Sequence, residues 1–176
     1  MKADGLPKRL LTLAVIAVAV LAVFFVGVTA VYSYRGAQCR ECVEDFDRAY
    51  RDLFLCGTSD RDDTQVSEIV ERASGYLTDG ASKRYADGYS DIVWEVSNEV
   101  RTVTKFSRIV TDTKTDYRYG GITVTVYSTV DYSGSGVYIG RENEDISYIG
   151  KCTQTYRMEK TDDGYKISEM KTEYES

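Results

Sequence analysis

Four cysteines and a complete lack of histidine set the chemistry open to this chain. Cys39 and Cys42 form a Cys-x-x-Cys, Cys56 follows, and Cys152 lies far along the chain. Such thiols can exchange disulfides, hold a soft metal or staple a fold. Exchange needs a thiol whose pKa is lowered inside a thioredoxin-like βαβ unit. Here Arg40 and Glu41 fill the motif and a long apolar run precedes it. A four-cysteine zinc site needs a second Cys-x-x-Cys, which the chain lacks. Stapling is then the default use of Cys39, Cys42, Cys56 and Cys152 in an oxidising compartment. Four cysteines allow three full connectivities. If 39–55 is one helix, Cys42 and Cys56 stand about 20 Å apart along it, beyond the reach of a disulfide. Either Cys56 pairs with Cys152 or both stay free.

Without histidine, Ser-His-Asp and Cys-His catalysis are excluded, and so is the commonest metal ligand. Asp60, Asp62, Thr64 and Glu71 fall at the first, third, fifth and twelfth positions of a calcium loop. Gln65, however, stands where that loop requires glycine, and a helical pattern from Val66 pulls the ligands apart. No catalytic, cofactor-binding or metal-ligating residue is assigned. The net charge of −6 and the lack of a Lys/Arg run speak against nucleic acid as a partner. No Asn-x-Ser/Thr sequon is present, which points away from a eukaryotic cell-surface protein.

The element that places these residues is the uncharged stretch Leu10–Val31. About 20 helical residues cover roughly 30 Å of hydrocarbon, so this stretch is long enough to cross a bilayer. Lys2, Lys8 and Arg9 precede it against Asp4, whereas Glu41, Glu44 and Asp45 follow Arg35 and Arg40. Positive flanks stay in the cytoplasm, so the N-terminus is expected inside and the bulk of the chain outside. Tyr32 and Tyr34 suit the outer headgroup region. A cleaved signal would have Val28-Thr29-Ala30 as its small-residue site, but its apolar core should be about 7–15 residues, shorter than this one. The reading is a cytoplasmic tail over 1–9, one transmembrane helix over 10–32 and an extracytoplasmic domain over 37–176. The protein is thus expected in the cell membrane as a single-pass chain, with all four cysteines outside.

In the domain, Val43, Phe46, Tyr50, Leu53 and Phe54 recur at helical spacing over Ala37–Leu55, with Gly57 as a stop and Gly36 as a break from the anchor. A second helix is expected over Thr64–Asp79, ended by Gly80, and a short third over Ser82–Tyr89. Asp91–Val100 fits a helix and a strand equally. The period then becomes two. A strand is expected over Arg101–Thr115, and another over Ile122–Tyr132 with one apolar and one Thr-rich face. After a loop over Ser133–Glu144 come strands over Asp145–Lys160 and Tyr165–Tyr174, joined by the turn Thr161-Asp162-Asp163-Gly164. Helices first and a strand meander second make an α+β fold. It consists of the transmembrane helix, then two or three helices packed on a curved four-stranded antiparallel sheet.

The final hairpin, Tyr156-Arg157-Met158-Glu159-Lys160 through Gly164-Tyr165-Lys166-Ile167, carries a family likeness. With the helix-then-meander order, residues 40–176 resemble the nuclear-transport-factor-two-like (cystatin-like) α+β cone. With the anchor, the layout resembles bitopic scaffold subunits of bacterial type IV secretion and conjugation machines, and small anchored domains of Gram-positive bacteria. The resemblance implies a non-catalytic scaffold that binds envelope proteins or further copies of itself. Enzymes of the superfamily use His, Asp and Tyr inside the cone. Here only Asp and Tyr remain, and Tyr85, Tyr89, Tyr148 and Tyr156 are the candidate lining of a pocket. The alternative function is therefore a small-molecule or lipid-binding module, with a thiol oxidoreductase a more distant third. For an interaction surface, the choice is the Thr-rich face of Ile122–Tyr132 with the 133–144 segment.

Overall fold

The computed structural model describes residues 5–54, 63–85, 101–118, 121–138 and 141–175. Helix α1 runs Gly5–Phe54, α2 runs Asp63–Ser74, and a short helix α3 covers 79–85. Four strands follow: β1 Arg101–Arg118, β2 Gly121–Tyr138, β3 Arg141–Thr161 and β4 Gly164–Glu175. The chain divides into two compact units, Met1–Ala37 and Gln38–Ser176.

In the first unit, α1 is the helix among the described residues that is long and apolar enough to cross a membrane. Its large side chains are exposed from Leu10 at 61% to Val26 at 70%. Gly36, expected to break the helix, is helical.

In the second unit, the sheet is an open antiparallel meander in the order β1-β2-β3-β4. Alternation along β2 is as the sequence predicts. Ile122, Val124, Val126, Ser128 and Val130 are buried, and Thr123, Thr125, Tyr127 and Thr129 are half-buried on the other face. Register shifts at Val103/Lys105 and Val110/Asp112 in β1 and at Arg157/Met158 in β3 add local twist, which curls the sheet. Against its inner face, α1 turns Cys39, Val43, Phe46 and Ala49, a stripe at helical spacing. Ile69 and Ala73 of α2, Leu77, and Ala81 and Tyr85 of α3 complete the core with Tyr156, Met158 and Ile167.

Two boundaries differ from the sequence reading. The expected loop at 133–144 is mostly strand, with Gly136 paired to Glu144 and Tyr138 to Arg141. Glycine lowers strand propensity, but ladder pairing to a continuing neighbour outweighs that preference. Helix α2 ends at Ser74 rather than near Asp79, with the Gly75 N–H closing the last turn onto the Glu71 carbonyl at 3.2 Å. The chain then extends so that Ile167 N–H donates to the Tyr76 carbonyl and Thr78 N–H to the Ile167 carbonyl, both at 2.9 Å. This short parallel bridge ties Leu77 to β4, and Thr78 caps α3 by accepting from Ala81 N–H. The 161–164 turn forms as expected. Gly164 has φ +120°, a conformation that favours glycine, and its carbonyl accepts from the Thr161 hydroxyl at 3.0 Å.

Candidate functional site

A buried polar cluster joins three elements of the second unit. Asp47 sits on α1, four residues after Val43, at a position where the apolar stripe would continue. Arg108 sits on the inner face of β1, and Tyr156 on the inner face of β3. The Asp47 Oδ2 lies 2.9 Å from Arg108 Nη1, with the two side chains only 14% and 11% exposed. The Tyr156 hydroxyl donates to Asp47 Oδ1. Arg108 Nε donates to the Ser128 hydroxyl at 3.1 Å, and the Ser128 hydroxyl donates in turn to the Cys152 carbonyl at 3.3 Å. Arg108 Nη2 and Gln154 Oε1 are buried without a hydrogen-bond partner among the described residues. Burial raises the Asp47 carboxyl above its ordinary range, against the opposing pull of Arg108 and the Tyr156 hydrogen bond.

This arrangement clasps one carboxylate between a cation and a phenol and thereby ties α1 to β1 and β3. Acid–base catalysis would need the same groups to meet a substrate. Tyr156 is fully buried, its ring edge-on to Phe46 at 6.1 Å, and Tyr85 packs on the same Phe46 at 5.6 Å. Of the four tyrosines proposed to line a pocket, Tyr85 and Tyr156 thus meet around Phe46. Tyr89 lies outside the described residues, as does the side chain of Tyr148, whose backbone pairs with Tyr132.

Cys39, Cys42 and Cys152 are free thiols, and Cys56 lies outside the described residues. Cys39 is fully buried in the core, and the Cys42 thiol points at the Tyr76 carbonyl at 3.9 Å. Burial lifts Cys39 to about 11, helped by its neighbour Cys42. It also lifts Cys42 to about 11, with Asp45 adding to the shift. Cys152 is raised by burial too, with Arg108 opposing. Among the described residues no cluster of Cys, Asp or Glu is placed to hold a metal ion.

The Thr-rich face of β2 lies on the outer side of the sheet, where Lys114 Nζ of β1 sits 5.0 Å from the centre of the Tyr127 ring. A separate open hollow of about 630 Å³ lies between Arg84, Arg157, Lys160, Ser168 and Glu169 and shares no residue with the Asp47 cluster. It is partly closed by its own contacts: Arg84 donates to the Ser168 carbonyl at 2.9 Å, and Arg157 lies 3.8 Å from Glu169.

Sequence reasoning passed over Asp47, Arg108, Ser128 and Gln154. The signal was present: each is a polar residue at a position whose periodic neighbours are apolar, as in Cys152-x-Gln154-x-Tyr156-x-Met158.

No protein-family model and no curated protein matches the chain. Solved structures are similar to it. A ketosteroid isomerase-like protein of Erwinia carotovora atroseptica is 10% identical, with 80% of this chain and 96% of that one covered and a TM-score of 0.49. The VirB8 protein of Agrobacterium tumefaciens is 10% identical over 81% of this chain and 94% of its own, at a TM-score of 0.46. CagV of Helicobacter pylori, a VirB8 homologue of a type IV secretion system, is 10% identical over 70% and 93%, at 0.42. Proteins of the kinds named by the sequence resemblance are among the solved structures to which the chain is similar.

Proposed function

We propose that this chain is a membrane-anchored, extracytoplasmic, non-catalytic interaction domain that serves as a scaffold subunit of a bacterial conjugation or secretion apparatus. The observation that carries the anchoring is the uncovered apolar helix, with side chains such as Val23 at 73% and Phe25 at 64% exposure. A contiguous apolar surface of this length is stable in lipid and unfavourable in water. The lysines and arginine before it and the acidic residues after it support an N-in orientation. The non-catalytic reading is supported by a fully buried Tyr156 and a closed Asp47–Arg108 pair. Thiol pKa values of about 11 at Cys39 and Cys42 run opposite to what disulfide exchange needs.

The alternative, a small-molecule module, draws on Arg108 Nη2 and Gln154 Oε1, which are buried without a partner among the described residues. Those atoms would select a small polar ligand rather than a lipid chain.

The scaffold reading is tested in cells that make the full chain. Alkaline extraction should leave it in the membrane, and protease added outside spheroplasts should remove the domain. A photocrosslinker at Thr125, on the outer sheet face, should capture subunits of the envelope apparatus. Release by alkali, protection from external protease, or crosslinks to none of those subunits would each defeat the reading.

A further inference from the structure

Strand β1 forms one edge of the open sheet and, among the described residues, pairs only with β2. Backbone N–H and C=O groups on its other side form a template for an added strand. Past the Val110/Asp112 register shift, its outward residues are Asp112, Lys114, Asp116 and Arg118, opposite Tyr127, Thr125, Thr123 and Gly121 of β2. All four are exposed. Their signs alternate: minus, plus, minus, plus.

Such a series is complementary to its own reverse. Laid antiparallel about Thr115, Asp112 faces the second copy's Arg118 and Lys114 faces the second copy's Asp116, and the two-fold axis repeats both pairs. Centring on Thr113 or Tyr117 keeps only one kind of opposite pair, Asp112 with Lys114 or Asp116 with Arg118. Centring on Lys114 sets lysine against lysine and Asp112 against Asp116, and a parallel in-register alignment sets every charge against its like. Opposite charges directly across a strand pair stabilise it and like charges weaken it, so the pattern favours the Thr115 register, where all four charges meet their opposites. We propose that β1 pairs antiparallel with β1 of a second copy of this chain, centred on Thr115, joining two four-stranded sheets edge to edge.

The local structure suits that use. Lys114 is held at the outer face over the Tyr127 ring, and its ion pair with its own Asp112 is long, at 3.8 Å, with the two side chains 61% and 56% exposed. It can therefore turn to a second copy at little cost. On the inner face, Arg40 Nη1 donates to the Thr115 hydroxyl at 3.1 Å, which fixes the centre of the edge against α1. The same strand exposes Ile109 at 66% and Val110 at 53%, apolar area that a second copy's β1–β2 end would cover. The dimer does not depend on the chain serving a secretion apparatus.

The test uses the full chain in native membranes. Thr115→Cys lies opposite its own counterpart and should yield a disulfide-linked dimer under mild oxidation, several-fold above wild type. Thr113→Cys, whose counterpart is displaced along the strand, should stay at the wild-type background set by the native cysteines. Lys114→Glu and Asp116→Lys alter exposed side chains outside the core. Each places like charges together twice, and should weaken association in detergent about ten-fold by sedimentation. Mixing the two variants should restore dimers, because each new charge then faces its opposite. The proposal is overturned if Thr115→Cys links no better than Thr113→Cys. It is equally overturned if Lys114→Glu associates like wild type, or if the mixture stays as dissociated as its components.

Discussion

Removing both partners of the Asp47–Arg108 pair should cost less than the sum of the two single removals. The pair is 2.9 Å long with 14% and 11% of its side chains exposed, so neither charge has bulk water to fall back on. Breaking a buried pair from one side typically costs about 3–5 kcal/mol, because it strands the other charge. The residual exposure places each single variant near the lower end, about 3 kcal/mol, a large share of the roughly 5–15 kcal/mol that holds an average domain. Asp47→Ala also strips the Tyr156 hydroxyl of its acceptor. Arg108→Leu leaves a buried carboxyl that no cation offsets. The double variant strands no charge, so its loss should fall short of the sum of the singles by about 2 kcal/mol.

The pH dependence separates the two single variants. The Asp47 carboxyl is already raised by burial, with Arg108 pulling it down. A carboxyl raised in the folded state gives stability that is full below its unfolded pKa and lost as pH rises through its folded pKa. Removing Arg108 raises it further and enlarges that loss. The gap between Arg108→Leu and wild type should therefore narrow as pH falls from neutral toward about 4. That between Asp47→Ala and wild type should not, since this variant has no carboxyl at position 47 to protonate. Urea unfolding of the full chain in mild detergent, followed by the sheet signal in circular dichroism, gives each value. Additivity of the two losses to within about 0.5 kcal/mol would refute the coupling.

Phe46→Ala should destabilise the domain by about 3–5 kcal/mol in the same assay, because it empties a fully buried site between the Tyr85 and Tyr156 rings; a loss under about 1 kcal/mol would mean that those rings collapse into the space. Cys39 and Cys42, raised to about 11, should react slowly with iodoacetamide at pH 8. Only about one thiol in a thousand is then ionised, and the rate should climb about ten-fold per pH unit. Mass spectrometry of the folded chain against the urea-unfolded chain reads this, and equal rates at pH 8 would contradict the burial argument.

Local pattern carried most of the architecture. The apolar run could be read because crossing a bilayer needs only length and an absence of charge. Strand β2 could be read because a half-buried strand alternates, and Ile122 to Val130 do so without a break. The 161–164 turn could be read because Gly164 meets a backbone demand that few other residues meet. The misplacements have tertiary causes. Gly134 and Gly136 looked like loop residues, yet a partner strand kept them in the ladder. Gly80 was the expected helix stop, yet α2 ends at Ser74 and the chain beyond it bridges Leu77 to Ile167.

The chain's own order of residues determined an apolar helix, a helix-then-meander fold and the exclusion of histidine chemistry. These follow from periodicity and composition, properties of neighbours along the chain. Tertiary structure decided which polar residues meet. Asp47, Arg108 and Tyr156 come from three elements, separated by up to 109 residues between Asp47 and Tyr156. Only the packing of α1 against the inner face of the sheet brings the carboxyl within reach of its cation. It likewise decided that β1 is an edge, and so that the alternating charges from Asp112 to Arg118 face outward with no strand beside them among the described residues. A charge series on a central strand would already face a neighbour of its own chain, whereas on an edge it is open to a second copy.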